Sequence, residues 1–253
     1  MWSTPRALVL AWFVLASAAV LPMGNARATG VTCANGLPRA SVAGPTHTLS
    51  WRARIETRTT VFDGLSGTSL RSSRWMSPTD ALWLLVLSRP RVADGRCWLQ
   101  VRLPWRPNNA AGWVNANNVL VQRTPWRIRV STAERRLTLF RSGKAVRTLS
   151  VVVGKPSTPT PHGVFAIVWA IPWNPNAFLG SWVLELTAHS NVLRQFDGGD
   201  GTVGIHGRGG ASLQDPLGSA LSHGCVRLEN TAIDWLVETV GEDQLPGTPV
   251  QID

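Results

Sequence analysis

Cys225 stands in Ser222-His223-Gly224-Cys225-Val226-Arg227-Leu228, and His206 stands 19 residues upstream in Gly204-Ile205-His206-Gly207. A thiol attacks a carbonyl only as thiolate, so its pKa must be lowered by an imidazolium, another cation or a helix N-terminus. All three are at hand: His206, Arg227 two residues on, and a helix whose start the sequence places near Asn230. Glycines at 207, 209, 210, 218 and 224 permit tight turns and close approach of a substrate. The residues thus suit a Cys–His pair in a glycine-lined, positively charged pocket, fit for acyl transfer from a carboxylate-bearing substrate. Two other readings stay open at this level. His206, His223 and Cys225 are zinc-binding residue types, although no fourth protein ligand is apparent, and Cys225 could simply be a buried thiol. His47, His162 and His189 read as core or surface residues.

The elements around this constellation are short and β-prone. Between residues 126 and 153, Ile128 and Val130 alternate with arginines, and Leu137 and Leu139 alternate with Arg136 and Thr138. Ser142-Gly143 is a turn, and Leu149, Val151 and Val153 share one face. Pro156 to Pro161 breaks the sheet, and Gly163 to Trp169 resumes a strand. One helix is expected after the cysteine, with Asn230 as N-cap, Thr231 to Val240 as body and Gly241 past its end. Upstream, from 47 to 123, five or six short strands alternate with turn signals such as Asp94-Gly95, which argues for a small barrel. Thr124-Pro125 reads as a linker between the two regions.

The N-terminus reads as an export signal. Arg6 precedes an apolar run from Ala7 to Leu21, and Ala26-Arg27-Ala28 has the small-residue pattern of a cleavage site. Residues 1–28 are therefore expected to be removed, and 29–46, rich in Gly, Pro, Ser and Thr, to be a linker. Arg6 and Arg27 leave with the signal and no acid does, so the net charge falls from +10 to +8. Outside the cell such a basic surface faces an anionic envelope rather than nucleic acid, unless the arginine content reflects only genome composition. Three cysteines exclude a disulfide-dense miniprotein and a four-cysteine zinc ribbon. Cys33 and Cys97 can pair in an oxidising compartment, closing a loop worth about 4 kcal/mol in the chain-entropy account. Cys225 is then the leftover thiol, a candidate for a reactive one. With 44% apolar residues the chain can bury a core, and with only 16% charged residues it is not a coiled coil.

Residues 126–253 resemble the catalytic domain of the L,D-transpeptidases, the YkuD-like family. The resemblance rests on four ordered pieces: Thr158-Pro159-Thr160-Pro161-His162-Gly163-Val164-Phe165, Ile205-His206-Gly207, Leu217-Gly218 followed by Ser222-His223-Gly224-Cys225-Val226-Arg227-Leu228, and Pro246-Gly247-Thr248-Pro249-Val250-Gln251-Ile252. The stretch from Trp98 and Val101 to Gly112-Trp113-Val114 resembles the end of a bacterial Src-homology-three-like module, the kind that often holds cell-wall peptide or merely braces an enzyme.

The resemblance implies a mainly β protein, an N-terminal small β-barrel (47–123) plus a C-terminal β-sandwich catalytic domain (126–253) with one or two short helices. It implies a peptidoglycan L,D-transpeptidase without metal or cofactor. Cys225 would form a thioester with a tetrapeptide stem, release D-alanine and pass the acyl group to an amine of a neighbouring stem. His206 would be the general base and acid, oriented by a backbone carbonyl near Gly207. Amides around Gly224 and Cys225 would hold the oxyanion, and Gly207, Ser222, His223, Gly224 and Arg227 would form the substrate site, Arg227 as carboxylate ligand or loop brace. The partners implied are peptidoglycan stems and an anionic envelope, with no nucleic acid; the protein is expected to be exported to periplasm or wall, as a monomer. The alternatives are a catalytically silent wall-binding protein, or an L,D-carboxypeptidase or amidase acting on the same stems. No tyrosine is present for the donor site, so Trp169, Trp173 and Trp182 are left to line the cleft or fill the core.

Overall fold

A computed structural model describes residues 42–65, 75–76, 82–196 and 198–253. The expected signal segment, most of the 29–46 linker and Cys33 lie outside the described residues. What is described is mainly β, with a single α-helix.

The N-terminal half holds two three-stranded antiparallel sheets. One pairs Ser50–Ile55 with Trp83–Leu85 on one side and Val119–Thr124 on the other. The second pairs Arg96–Arg102 with Arg91–Ala93 and Ala111–Asn115. A bridge from Val86 to Val101 stitches the sheets together, and one from Phe62 to Trp113 ties the segment after the first strand to the second sheet. Their inward residues, among them Ala53, Ile55, Leu84, Leu99, Val101 and Val114, form one buried cluster. Asp94-Gly95 turns with φ of 50° and 68°, the positive pair that matches a hairpin to the twist of its strands. Ser142-Gly143 does the same in the second half, at 48° and 81°. Cys97 is buried and disulfide-bonded, while Cys225 is a free thiol.

The C-terminal half is built on an eight-stranded sheet, with Val153–Gly154 and Ala220–Ser222 pairing in parallel as a separate two-stranded sheet. The order of the large sheet is Lys144–Ser150, Arg136–Arg141, Trp126–Ser131, Pro249–Ile252, Gly163–Pro172, Trp182–His189, Thr202–His206 and Val226–Arg227. The chain's last strand enters the middle, parallel to Trp126–Ser131 and antiparallel to Gly163–Pro172. The strands Trp182–His189 and Thr202–His206 were not foreseen, although Leu184, Leu186 and Ala188 alternate as a half-buried strand should. The helix Asn230–Val240 lays Ile233, Leu236, Val237 and Val240 on the core. Its cap differs from expectation. Glu229 occupies the N-cap position, and the Asn230 side chain reaches across the fold, accepting from the Ser181 and Arg208 amides and donating to the Pro175 carbonyl.

Arg52 joins the halves. It is 1% exposed and donates to the Asp243 and Pro246 carbonyls at 2.7 and 3.0 Å and to Gln122 at 3.0 Å. The Trp83 ring lies 4.0 Å from its guanidinium carbon. Burial lowers its pKa to about 10, so it stays charged at neutral pH. Arg52→Ala strands two carbonyls and opens a void, and should cost about 3 kcal/mol. Lys144→Ala, on an exposed strand, should stay within about 0.5 kcal/mol. Urea titration followed by tryptophan fluorescence measures both; equal midpoints would remove Arg52 from this role.

Candidate active site

The site is built by a parallel strand pair. Ile205 lies opposite Val226 and His206 opposite Arg227, which brings two segments 21 residues apart to one edge of the sheet. Cys225 enters just before its strand, and the Gly204 amide points at its Sγ from 3.5 Å, in the place where a ladder carbonyl would otherwise sit. A Cβ added at Gly204 would lie 3.3 Å from the Leu184 carbonyl oxygen of the neighbouring strand.

Cys225, His206, His223 and Arg227 line one cavity of about 310 Å³, the size of a pocket for a small ligand or peptide fragment. Its other walls are mostly apolar: Trp173, Phe178, Leu179, Leu193, Phe196 and Val203. The sequence alone promised a glycine-lined, positively charged pocket. The charge is largely spent, because Arg227 is 3% exposed, paired to Asp215 and stacked 4.7 Å over Phe178. It braces the wall of the cavity, with its Nε left without a partner. Trp173 faces the cavity, whereas Trp182 packs on the core.

The ring of His206 is 1% exposed and its Nδ1 lies 2.7 Å from the Gly207 carbonyl. A carbonyl only accepts, so Nδ1 carries the proton. Gly207 can sit there because it is glycine: an added Cβ would lie 2.2 Å from Asn230 Oδ1 and 3.0 Å from Gly180. Burial pushes the His206 pKa down to about 4, against the raising effect of its bonds to the Gly207 and Leu179 backbone, and Arg227 lowers it further. Burial also pushes the Cys225 thiol above its ordinary range, opposed by the Gly204 amide and Arg227. A preformed thiolate–imidazolium pair was the expectation from sequence. Burial in this cavity works against that pair, because desolvation disfavours both charged forms.

Three of the expected substrate residues lie behind the cavity rather than on it. Ser222 is fully buried, and its hydroxyl donates to the Cys225 carbonyl at 2.6 Å while accepting from the Gly224 amide at 3.1 Å. It shapes the turn that presents the thiol. Gly224 supplies that turn's positive φ of 125°, and its amide, once expected to face an oxyanion, is committed to Ser222. Gly207 acts through its carbonyl on His206. His223 is different: its ring stacks on Phe196 with centroids 5.4 Å apart, and its Nε2 lies 3.3 Å from Lys155 Nζ. Desolvation first, then Lys155 and Arg227, hold its pKa down, so Nε2 accepts from the ammonium. Asp215, Phe178 and Phe196 were not legible as site residues; only their exposure around the cavity and the pairing with Arg227 reveal them. Among the described residues no group of three or more His, Cys, Asp or Glu is placed to share a metal ion, so the zinc reading finds no ligand set there.

The family profile of the L,D-transpeptidase catalytic domain, YkuD, matches residues 125–252. The protein YkuD of Bacillus licheniformis is 32% identical over 156 residues, covering 59% of this chain and 85% of that protein. YkuD of Bacillus subtilis is 27% identical over 155 residues, with the same coverage of 59% and 85%. Among solved structures, the catalytic domain of an E. faecium L,D-transpeptidase matches with a TM-score of 0.35 and 25% identity, over 51% of this chain and 96% of that one.

The neutral pair has a measurable sign. With the thiol pKa raised, alkylation of Cys225 by iodoacetamide should climb about tenfold per pH unit from pH 6 to 8, following the thiolate fraction. A rate that levels off below pH 7 would mean that the ion pair is already formed.

Proposed function

The chain belongs to the YkuD family of L,D-transpeptidases, cell-wall enzymes that act on peptidoglycan stem peptides, and we propose that it is itself a cysteine-dependent L,D-transpeptidase. The observation that carries this is the shared cavity: a free thiol and a buried imidazole, its Nδ1 held by the Gly207 carbonyl, line one pocket of peptide size.

Each residue then has a definite part. A tetrapeptide stem places the carbonyl of its third residue over Sγ. As the sulfur–carbon bond forms, His206 Nε2 takes the thiol proton, and the Gly207 carbonyl steadies the imidazolium through Nδ1. Desolvation makes that imidazolium a strong acid, so it readily protonates the departing D-alanine amine. The tetrahedral oxyanion takes the Cys225 amide, since the Gly224 amide is occupied. A thioester remains. An amine on a neighbouring stem attacks it, gives its proton to Nε2, and the thiolate that leaves regains a proton from the imidazolium. Water in place of the amine makes the same site an L,D-carboxypeptidase. The 47–123 region as a Src-homology-three-like module, and export of the protein to the periplasm or wall by way of the N-terminal signal, belong to the same reading. So does a basic surface facing the anionic envelope.

Cys225→Ala should abolish the covalent adduct that a carbapenem-type β-lactam forms on the wild type, as read by intact-protein mass; an unchanged adduct would refute the nucleophile. His206→Ala should slow acylation by ~10²-fold or more. Near-normal acylation would take His206 out of the mechanism.

A further inference from the structure

One wall of the cavity is held from outside its own half of the molecule. The segment from Ser190 to Phe196, with its return from Gly199 to Thr202, forms a flap. Ser190, Leu193, Phe196, Gly201 and Thr202 line the cavity, and Phe196 near the tip stacks on His223. Phe196 and Gly199 exchange backbone hydrogen bonds at 3.0 Å, and the Ser190 amide donates to the Gly201 carbonyl at 2.8 Å.

Behind this flap lies the 104–110 loop of the N-terminal half. Arg106 donates to the carbonyls of Ser190 at 2.9 Å, Leu193 at 3.1 Å and Asp200 at 2.7 Å, so one guanidinium spans both limbs. Asn108 pairs with the backbone of His189, where the flap begins: its Nδ2 donates to the carbonyl and its Oδ1 accepts from the amide, both at 2.7 Å. Nδ2 also lies 3.0 Å from Asn191 Oδ1. The limbs close on each other at Gly201, whose φ is +77° and where an added Cβ would lie 2.0 Å from the Leu193 carbonyl oxygen and 3.0 Å from the Arg106 guanidinium. The loop is itself fixed, since Arg102 donates to the Asn109 and Ala110 carbonyls and the Leu103 amide to Ala110 at 3.0 Å.

Irregular backbone leaves carbonyls that no sheet partner satisfies. A planar guanidinium with several donors can collect three of them at fixed relative positions, which an ammonium on a flexible stem does less well. We propose that Arg106 and Asn108 are positioning residues for the peptide substrate: the N-terminal half sets the flap, and through it the cavity's affinity for the stem. This rests on the transpeptidase reading for the identity of the ligand. It makes the N-terminal half part of the binding machinery whether or not it also holds cell wall.

The test uses the full chain and three variants, Arg106→Ala, Arg106→Lys and Asn108→Ala. Two quantities are read: steady-state kinetics on a tetrapeptide stem, and amide hydrogen exchange of residues 189–202 against the sheet residues 126–150. Arg106→Ala should raise exchange in 189–202 with 126–150 unchanged. It should raise KM about tenfold, the equivalent of one charge-assisted hydrogen bond, and move kcat much less. Arg106→Lys should fall between it and the wild type, and Asn108→Ala should shift both readouts in the same direction. Wild-type exchange and KM in variants whose 126–150 region is intact would overturn the proposal, as would a loss confined to kcat. Should Arg106→Ala loosen 126–150 as well, the two milder variants decide. A wild type without turnover would sink the transpeptidase reading, while the exchange comparison would still decide whether Arg106 and Asn108 hold the flap.

Discussion

The parallel pairing of Thr202–His206 with Val226–Arg227 is the contact on which the site depends. Two short segments meet at the edge of the sheet, and their register sets which residues become neighbours: His206 beside Arg227, and Gly204 beside the sulfur of Cys225. The edge is secured from the far side by an antiparallel bridge between Val152 and Arg227. A slip of one residue would exchange the faces of the strand and bury either the imidazole or its neighbours wrongly. Ser222 and Gly224 serve the same end, because the turn they form delivers the cysteine to that edge.

Electrostatics at this edge run opposite to the simplest view of a reactive thiol. The imidazole is enclosed, and that burial disfavours its protonation against the opposing pull of its backbone hydrogen bonds. The thiol is likewise kept protonated. Under the proposed mechanism, charge separation is deferred until a carbonyl arrives to accept the developing negative charge, and an enclosed cavity makes every dipole aimed at that charge more effective. The apolar walls that impose the desolvation are the same walls that would take the stem's aliphatic parts.

Arginine supplies nearly all the positive charge, with only two lysines in the chain, and the structure gives many of these side chains a task inside the protein. Arg52, Arg102, Arg106 and Arg208 all donate to backbone carbonyls of loops, and Arg208 also pairs with Glu229. Guanidinium is weakly hydrated for a cation and presents its donors in one plane, so it can be half-buried at modest cost where irregular backbone needs partners. Others lie over aromatic rings, as Arg127 does on Phe140 and Arg147 on Trp235. A basic composition therefore need not signal an anionic partner; part of it is mortar between loops and between the two halves.

Much of this was open to reading from the residues. Strict alternation marked the strands of 126–153, Asp94-Gly95 and Ser142-Gly143 marked hairpins, and the Ser222-to-Leu228 string with the upstream His206 marked the chemistry and the family. Local rules suffice there, because turn type and side-chain alternation depend on neighbours in the chain. Other features were beyond their reach. Asn230 looked like a helix cap and became a cross-link, since its carboxamide had better partners in the Ser181 and Arg208 amides than in its own helix. Ser222 and Gly224 looked like substrate contacts and turned out to be the frame behind them. The protonation state of the Cys225–His206 pair, the bracing of Arg227 by Asp215, and the hold of Arg106 and Asn108 on the flap were decided only by tertiary structure. Each depends on how much water the fold removes and on which distant carbonyl or carboxylate it brings within 3 Å, and neither quantity is a property of residues adjacent in sequence.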